Sequence, residues 1–437
     1  MKQVVFENDP FMSIFKSYIL NHNILFLQGP LGPFFKKFAR YASDQGHRTY
    51  KINFNGGDKY YAWADQQVDY IDTSEMWHAY LSEFIKARHI DMVMVYGDCR
   101  FYHSVARKVA RELGVNFWAM EEGYLRAGFV TFEKNGCNAN SPLFNNFKNL
   151  KSVKEQEIKS SLNVGATFSR RFWFATCYYI ILHLSKNIFP HYLHHRPWTT
   201  IQEAMYWVKG FVQHGISKLT DPKRYKAFIK QYDQQFFLLP LQVEVDFQLR
   251  EHSPFNSVEQ VISEVLRSFS LYALPQQALL IKHHPQNRGF VNYGKLISKL
   301  VDELNLGDRV LYGHDFNLPD VYHHARGVVT VNSTVGMSAL LHNLPTIVLG
   351  KAIYDITDIT YPRTLAYFWQ DDFSMDRILF SKFRTYLCHN SQQSGDFYKQ
   401  SEGLIENLLA HCLNQKEDVT VFEYKHVELL IESEVTV

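Results

Sequence analysis

The sequence predicts an α/β protein built from two Rossmann-like domains, each with a parallel sheet, that face a central cleft. Strand and helix patterns alternate over residues 1–135 and again over residues 236–385. The intervening residues 136–235 lose this alternation and are predicted as a helical insertion or connector, and residues 386–437 as a C-terminal helical tail. Because alternating strands and helices form parallel sheets with helical crossovers, the pattern indicates a doubly wound arrangement in both halves.

The first predicted domain begins with a short apolar strand at residues 24–28, which ends in the glycine- and proline-rich stretch GPLGP. A helix with aromatic residues at helical spacing follows, and then a strand at residues 49–54 that ends in the turn NGGD. Residues 91–96 and 115–120 are predicted as buried strands on either side of another helix. The last of these strands leads directly into a loop that begins EEG.

The middle region combines aromatic, histidine and basic residues, and aromatic residues make up 15% of the whole chain. Its apolar run at residues 172–184 is shorter than the ~20 residues that a spanning helix needs. Residues 168–198, flanked by arginines, suit an interfacial segment lying on anionic lipid and suit equally a helix packed in the core. The histidines at residues 191–198 have no spacing typical of a metal site.

Alternation resumes with an apolar strand at residues 236–241. The helix that follows begins with Ser257 and Gln260 at the spacing of a capping box. A strand at residues 278–282 ends in HHP, and a strand at residues 327–331 ends in NST before another helix and strand. The second half therefore repeats the organisation of the first.

Composition excludes several classes of protein. Hydrophobic residues make up 46% of the 437 residues and charged residues 21%, so the chain can bury a full core. A net charge of +2 gives no indication of nucleic-acid binding. Five cysteines without CxxC spacing argue against a disulfide framework or a thiolate metal site and are typical of a reducing compartment. The N-terminus lacks the apolar run of a signal peptide, so we expect a cytosolic protein that is at most peripheral on a membrane.

Polar residues follow the predicted strands of both halves at their carboxyl ends. In open α/β sheets ligands bind at this edge, so we expect these residues to line one cleft. Neither a GxGxxG nor a Walker A sequence is present, which argues against dinucleotide or ATP chemistry. The residues at these strand ends are Gln28, Gly29, Asp98, Glu121, Glu122, Gln242, His283, His284, Ser333 and Thr334.

The strand-end groups have both functional and structural interpretations. A carboxylate at Glu121 or Glu122 can act as a base or a nucleophile, or it can simply be solvated in a loop. Lys282 and His284 suit a leaving phosphate through charge-assisted hydrogen bonds, or the histidine is structural. The NST hydroxyls can cap the next helix, or they can bind an anion together with its N-terminal amides.

Five stretches occur in a fixed order along the chain: ILFLQGPLGPFFKKFARY, KINFNGGD, EEGYLR at residues 121–126, KHHP at residues 282–285 and VNSTVGMSALLHNLPTIVLG. They resemble the capsule polysaccharide biosynthesis proteins of the KpsS/LipB type, β-Kdo transferases of Gram-negative bacteria. The resemblance spans most of residues 20–350 and covers the aromatic middle and the tail less. The acid-acid-Gly, His-Pro and Ser/Thr elements are also similar to those of bacterial CMP-sialic acid transferases.

The resemblance implies a GT-B fold and a retaining transfer of Kdo from CMP-Kdo to phosphatidylglycerol, without a metal or other cofactor, at the inner face of the inner membrane. It implies that Glu121 is the catalytic carboxylate and forms a glycosyl-enzyme adduct. Glu122 takes the second acidic place, where related two-domain capsule enzymes have Asp. The residues implied to bind the CMP phosphate are Lys282, His284, Pro285, Ser333 and Thr334. Further residues expected in the donor or acceptor cleft are Gln28, Gly29, Asp98, Arg126, Gln242, Asp246 and His283.

Kdo has a carboxylate next to its anomeric carbon, so departure of CMP builds an oxocarbenium ion that needs a nearby anion. The expected partners are CMP-Kdo, the lipid acceptor, an anionic membrane surface and other capsule assembly proteins, with no nucleic acid. Two other functions stay open at this point. One is a transferase for another CMP-ulosonic acid that acts on a glycan, and the other is a non-catalytic subunit of a capsule assembly or export complex.

Overall fold

A computed structural model of the protein describes residues 21–125, 128–154, 165–194, 198, 200–244, 249 and 251–414. The strands in chain order are Asn23–Phe26 (β1), Arg48–Asn53 (β2), Gln66–Asp69 (β3), Met92–Tyr96 (β4), Asn116–Glu122 (β5), Phe129–Lys134 (β6), Phe236–Pro240 (β7), Ala278–Lys282 (β8), Val310–Gly313 (β9), Ala325–Thr330 (β10), Thr346–Val348 (β11) and Gln392–Ser394 (β12).

The α-helices in chain order are Phe34–Asp44 (α1), Gly56–Tyr60 (α2), Trp77–Ala87 (α3), Phe101–Glu112 (α4), Phe168–Leu184 (α5), Thr200–Tyr232 (α6), Val258–Tyr272 (α7), Gly294–Glu303 (α8), Leu318–His324 (α9), Thr334–Leu341 (α10), Leu365–Phe368 (α11), Arg377–Asn390 (α12) and Ser401–Asn414 (α13). Short 3₁₀ helices include Asn138–Asn140, Pro142–Ser152 and Pro285–Asn287. Within the described ranges no helix is long and apolar enough to cross a membrane.

The strands form two sheets. The first has the order β12-β6-β5-β4-β1-β2-β3, and its strands β1 to β5 are mutually parallel. The second has the order β11-β10-β7-β8-β9, and all of its pairs are parallel. A second sheet that is wholly parallel and a first sheet that is parallel from β1 to β5, both crossed by helices, confirm the predicted α/β class with two Rossmann-like units, the GT-B arrangement.

Strand β5 runs two residues further than the sequence predicts. The expected strand ends at residue 120, but in the structure Glu121 pairs with Thr131 and Glu122 with Val130 of the antiparallel β6. The partner strand lies within ten residues along the chain and satisfies the backbone that would otherwise face solvent. The two acids therefore belong to the sheet and not to a loop.

The chain returns to the first sheet near its C-terminal end. β12 pairs antiparallel with β6, and α13 packs with its buried Leu404 and Leu408 in the same core as Phe34 and Phe38 of α1. The region expected as a helical tail thus covers one face of the first sheet over its described part. Between the two sheets, Tyr124 and Leu150 pack in one core with Met337 of α10 and Phe383 of α12.

Helix α5 lies directly on the loop before α1 and on the short helix α2, because glycines in both leave room for it. A Cβ atom at Gly57 would lie 2.5 Å from the ring of Tyr178, and one at Gly32 would lie 2.5 Å from the ring of Phe174. The NGGD stretch, expected as a turn, starts the short helix α2, whose cap Asn55 accepts a hydrogen bond of 2.9 Å from the Asp58 amide. The glycines at positions 32 and 57 are therefore explained by the contact with α5, which lies more than 100 residues further along the chain.

We predict that Gly57→Ala lowers the free energy of unfolding by about 1–3 kcal/mol, because the new methyl group overlaps the Tyr178 ring. That ring cannot simply rotate away, since the Tyr178 hydroxyl lies 3.1 Å from Asp58 Oδ1 and 2.8 Å from Asn55 Nδ2. Thermal or chemical denaturation measures the change.

The matched control is Gly403→Ala on α13, where nothing lies within 4 Å of the new methyl group. Helix propensity predicts that this variant is more stable than wild type by up to about 1 kcal/mol. Equal stability of Gly57→Ala and wild type would contradict the close seating of α5.

Candidate active site

The alternation of side chains along β5 places the two neighbouring acids on opposite faces of the first sheet. Glu122 lies on the face of Trp118, which belongs to the core beneath α13. Glu121 lies on the face of Phe117, which belongs to the core beneath α3 and α4. The two carboxylates therefore have different neighbours.

Glu122 is held by groups from two other segments. Its Oε1 atom lies 3.3 Å from a guanidinium nitrogen of Arg171 on α5 and 3.5 Å from the hydroxyl of Tyr96. The Arg171 guanidinium also lies 4.9 Å from the ring centroid of Tyr398. Thr131 donates a hydrogen bond of 3.1 Å to the Glu122 carbonyl and fixes the end of the strand. Glu122 is thus a positioned, paired carboxylate.

Glu121 lies against the turn after β4. A Cβ atom at Gly97 would lie 3.3 Å from Glu121 Oε1 and 3.6 Å from Arg100 Nε, and Gly97 has a φ of +75°. Both the left-handed backbone and the close approach require glycine there. Arg100, half-buried just before α4, therefore lies at the same turn as Glu121, and its guanidinium also lies 5.7 Å from the ring centroid of Tyr96. Sequence reasoning missed Arg100, although it follows a buried strand in GDCR.

The two domains meet beside this turn. Cys99 Sγ lies 3.4 Å from Nε2 of His252, which belongs to the second domain. Burial lowers the pKa of His252, and burial together with Asp98 raises the pKa of Cys99, so a neutral thiol faces a neutral imidazole at neutral pH. The His252 carbonyl accepts hydrogen bonds from Asn332 Nδ2 at 3.3 Å and from the Lys351 amide at 2.8 Å. No motif in the sequence marks His252.

Three of the expected cleft residues have structural surroundings. Asp98 is 1% exposed and accepts hydrogen bonds from Arg107 at 3.1 Å and from Asn140 at 2.9 Å, which tie the start of α4 to the 138–140 turn. Gln28 is 2% exposed and donates to Asp58 and to the Tyr192 hydroxyl, each at 3.1 Å. Gly29 packs against the ring of Phe35. These three residues therefore have contacts within the first domain that suffice to explain their burial.

In the second domain a side-chain hydrogen bond links the residues that follow β7 and β10. Gln242 donates a hydrogen bond of 2.8 Å from Nε2 to Asn332 Oδ1. Ser333 caps α10, and its hydroxyl accepts from the Val335 amide at 3.2 Å. Ser333 therefore caps the helix, and Thr334 occupies the first helical position beside it.

A small cavity of about 20 Å³, room for about one water molecule, lies between the domains at the N-terminus of α10. Tyr124 and Asn138 line it from the first domain, and Thr334, Lys351 and Tyr354 line it from the second. Helix N-terminal amides, a lysine and hydroxyls together favour an anion. The structure thus brings Tyr124, two residues after Glu122, to Thr334 at the start of α10.

The KHHP element separates its side chains at the end of β8. Lys282 is buried, which lowers its pKa to about 8, so it stays mostly charged at neutral pH. His283 is fully buried, its Nδ1 lies 2.8 Å from the Tyr312 hydroxyl, and burial lowers its pKa to about 3. His283 is accordingly a neutral core residue.

His284, unlike the buried His283, is partly exposed. Its Nδ1 accepts a hydrogen bond of 3.2 Å from the Gln286 amide, so the neutral ring carries its proton on Nε2 as a donor. Pro285 is exposed and begins the short Pro285–Asn287 turn. Arg126 and Asp246 lie outside the described residues. Among the residues that the structure describes, no group of three or more His, Cys, Asp or Glu side chains could hold a metal ion.

Glu133 on β6 is a buried acid beside the cavity-lining Tyr124. The side chain is 3% exposed, and burial raises its pKa from 4.5 to about 8. The carboxyl is therefore mostly protonated at neutral pH, and no sequence pattern indicates it.

The chain is similar in sequence to proteins of capsule polysaccharide biosynthesis. The sequence model of the capsule polysaccharide biosynthesis protein family matches residues 91–398. The chain is 38% identical over 374 residues to the capsule polysaccharide export protein KpsS of Escherichia coli, covering 86% of this chain and 96% of that protein. It is 37% identical over 418 residues to the capsule polysaccharide modification protein LipB of Neisseria meningitidis serogroup B, covering 92% and 96%.

A solved structure, the β-Kdo 2,7-transferase of Thermosulfurimonas dismutans KpsC, is 11% identical with a TM-score of 0.41 and covers 90% of this chain and 100% of that chain. The UDP complex of Staphylococcus aureus MnaA is 12% identical with a TM-score of 0.31, covering 90% and 97%.

We predict that Glu133 makes the protein less stable as the pH rises from about 4.5 to about 8. In this window the folded state keeps a proton that the unfolded chain releases, so unfolding becomes more favourable with pH. Glu133→Gln removes this contribution, and its stability relative to wild type should rise by roughly 3–5 kcal/mol across the window. Denaturant titrations at several pH values measure this, with the exposed Glu83→Gln as control. Parallel pH profiles of wild type and Glu133→Gln would contradict the assignment.

Proposed function

The chain belongs to the capsule polysaccharide biosynthesis protein family, which confirms the resemblance in its sequence, and on that basis we propose an activity for it. The protein is a retaining glycosyltransferase that moves Kdo from CMP-Kdo to a phosphatidylglycerol acceptor. The product is the start of the Kdo linker of a capsular polysaccharide. The enzyme works at the cytoplasmic face of the inner membrane, to which it is peripherally bound.

One observation carries this proposal: of the two neighbouring acids, Glu121 lies against the turn after β4 at which the two domains meet. Its Oε1 atom lies over Gly97, next to Arg100, and Cys99 in the same turn contacts His252 of the second domain. Glu122 is on the other face, in an ion pair with Arg171. Glu121 is therefore the nucleophile, and Glu122 is a positioning residue.

In the first step a Glu121 carboxylate oxygen forms a bond to the anomeric carbon of Kdo while the bond from that carbon to the CMP phosphate oxygen breaks. The electron pair leaves with CMP. In the second step the acceptor hydroxyl forms a bond to the anomeric carbon and gives its proton to solvent, while the bond from that carbon to Glu121 breaks and frees the carboxylate. Two displacements at one carbon retain its configuration.

The second domain supplies the groups for the leaving phosphate. Lys282 and His284 stand at the carboxyl end of β8, and Thr334 begins α10 just after β10, so these residues and the α10 amides belong to one edge of the second sheet. CMP leaves as a monophosphate, which has less charge than a diphosphate, so these groups can stabilise it without Mg²⁺. Arg100, close to Glu121, suits the carboxylate of Kdo itself.

The proposal is tested by incubating the purified full-length protein with CMP-Kdo, a short-chain phosphatidylglycerol and EDTA. We expect the mass of one Kdo added to the lipid. Use of CMP-sialic acid in place of CMP-Kdo would point to another CMP-ulosonic acid transferase. Binding of CMP-Kdo without CMP release for any lipid or glycan acceptor would point to a non-catalytic subunit.

We predict that Glu121→Gln lowers kcat by about 1,000-fold or more, because the amide cannot form the adduct. Glu122→Gln should lose only about tenfold to 100-fold, because the amide keeps a hydrogen bond to Tyr96 and loses a half-exposed ion pair. Steady-state transfer measures both, and unchanged CMP-Kdo binding shows that the variants are folded. Undiminished transfer by Glu121→Gln would rule out this mechanism.

We predict that His284→Ala lowers kcat/KM for CMP-Kdo by about 100-fold, because one donor to the developing phosphate charge is lost. The exposed His389→Ala on α12 serves as the control and should retain full activity. A His284→Ala variant with wild-type kcat/KM would remove His284 from the phosphate site.

A further inference from the structure

Helices α5 and α6 and the segment between them carry an unusual number of exposed apolar side chains, which together we call the outer surface. Single exposed apolar residues are common on proteins, but a long run of them marks an interaction site. The members in chain order are Phe168, Phe172, Trp173, Ile180, Leu184, Ile188, Leu193, Met205, Val208, Phe211, Val212, Ile216 and Leu219.

The outer surface of α5 is opposite to the face that contacts the protein. Phe174 and Tyr178 point onto Gly32 and Gly57 of the first domain. At 100° per residue, Phe172, Trp173 and Leu184 fall on the other side of the helix, and Trp173 and Leu184 are 64% and 77% exposed. The helix is thus apolar all round but has a protein partner on one side only.

On α6 the apolar residues form a single stripe that continues as a cationic stripe. The spacing follows the three- and four-residue steps of one helix face. The stripe consists of Met205, Val208, Val212, Ile216 and Leu219, followed on the same face by the exposed Lys223, Lys226 and Lys230.

The exposed charged side chains that the structure describes on α5, α6 and the segment between them are all positive. Within the described residues 165–194 and 200–232 the carboxylates are Glu203 and Asp221, which are only 5% and 2% exposed. The exposed cations are Arg170, Lys186, Lys209, Lys218, Lys223, Arg224, Lys226 and Lys230. A surface of apolar and cationic side chains without an exposed carboxylate is complementary to an anionic, deformable partner.

We infer that the outer surface binds the interface of an anionic lipid bilayer, with α5 and α6 lying on it. Large aromatic and aliphatic side chains enter the headgroup boundary while lysines and arginines pair with phosphates. Exposed lysine is depleted in the interfaces between proteins, which argues against a protein partner or a second copy of the chain. The inference deepens the proposed function, on which it rests for the identity of the acceptor.

Helix α5 connects the outer surface to β5, the strand that ends in Glu121 and Glu122. Arg171 of α5 pairs with Glu122, and Arg170 donates a hydrogen bond of 2.9 Å to the Tyr398 carbonyl. A bilayer that holds the outer side of α5 therefore also fixes the orientation of the end of β5. The acceptor headgroup would reach the cleft from the membrane on which the enzyme lies.

The test compares two triple variants of the full-length protein by co-sedimentation with vesicles of phosphatidylglycerol and phosphatidylcholine. The outer variant is Trp173→Gln, Leu184→Gln and Leu219→Gln, at positions 64%, 77% and 75% exposed. The control variant is Ile71→Gln, Leu271→Gln and Ile378→Gln, at positions 53%, 74% and 64% exposed elsewhere on the protein. We expect the outer variant to bind vesicles at least about tenfold more weakly, and the control variant to bind like wild type.

Transfer to a short-chain, soluble phosphatidylglycerol separates the two proposals. Both variants should transfer Kdo to it at the wild-type rate, which also shows that they are folded. If wild type transfers no Kdo but only the outer variant loses vesicle binding, the proposed function is wrong and the assignment of the outer surface to lipid is supported. Wild-type vesicle binding by the outer variant would overturn the inference, as would equal binding of wild type to pure phosphatidylcholine vesicles. A lipid-free wild-type dimer that the outer variant converts to monomer would assign the surface to a second copy.

Discussion

The alternation of side chains along β5 is the constraint on which the site depends. The hairpin partner β6 keeps Glu121 and Glu122 within the sheet, so the pleat sends one carboxylate to each face. One acid is neutralised by Arg171, and the other lies over Gly97 beside Arg100. A one-residue shift of this pairing would exchange the two faces, which is why the strand end is fixed by hydrogen bonds on both sides.

The second domain completes the site through contacts that both domains share. Tyr124, two residues after Glu122, packs with Met337 of α10, and the thiol of Cys99 faces His252. These contacts set the distance between Glu121 in the first domain and the proposed phosphate-binding groups of the second domain. Catalysis by positioned charges requires such fixed geometry, because a rearrangement of the groups during the reaction would cancel part of their effect.

The sequence predicts the parts of this structure that depend on neighbouring residues. The two parallel sheets follow from local alternation, and the helix start at Ser257 follows from its cap, whose hydroxyl accepts from the Gln260 amide at 3.1 Å. The return of β12 to the first sheet and the seating of α5 on glycines could not be predicted, since both are contacts between residues far apart in the chain. Arg100 and His252 were missed because a single residue without a motif has no signal before the fold places it.

The most direct test of the central claim is to trap the glycosyl-enzyme. The protein is incubated with CMP-Kdo in the absence of acceptor, quenched in acid and digested, and the peptide that contains both acids is fragmented in a mass spectrometer. Our account predicts the added mass of one Kdo on Glu121 and an unmodified Glu122. Kdo attached to Glu122, or to a residue outside this strand, would contradict it.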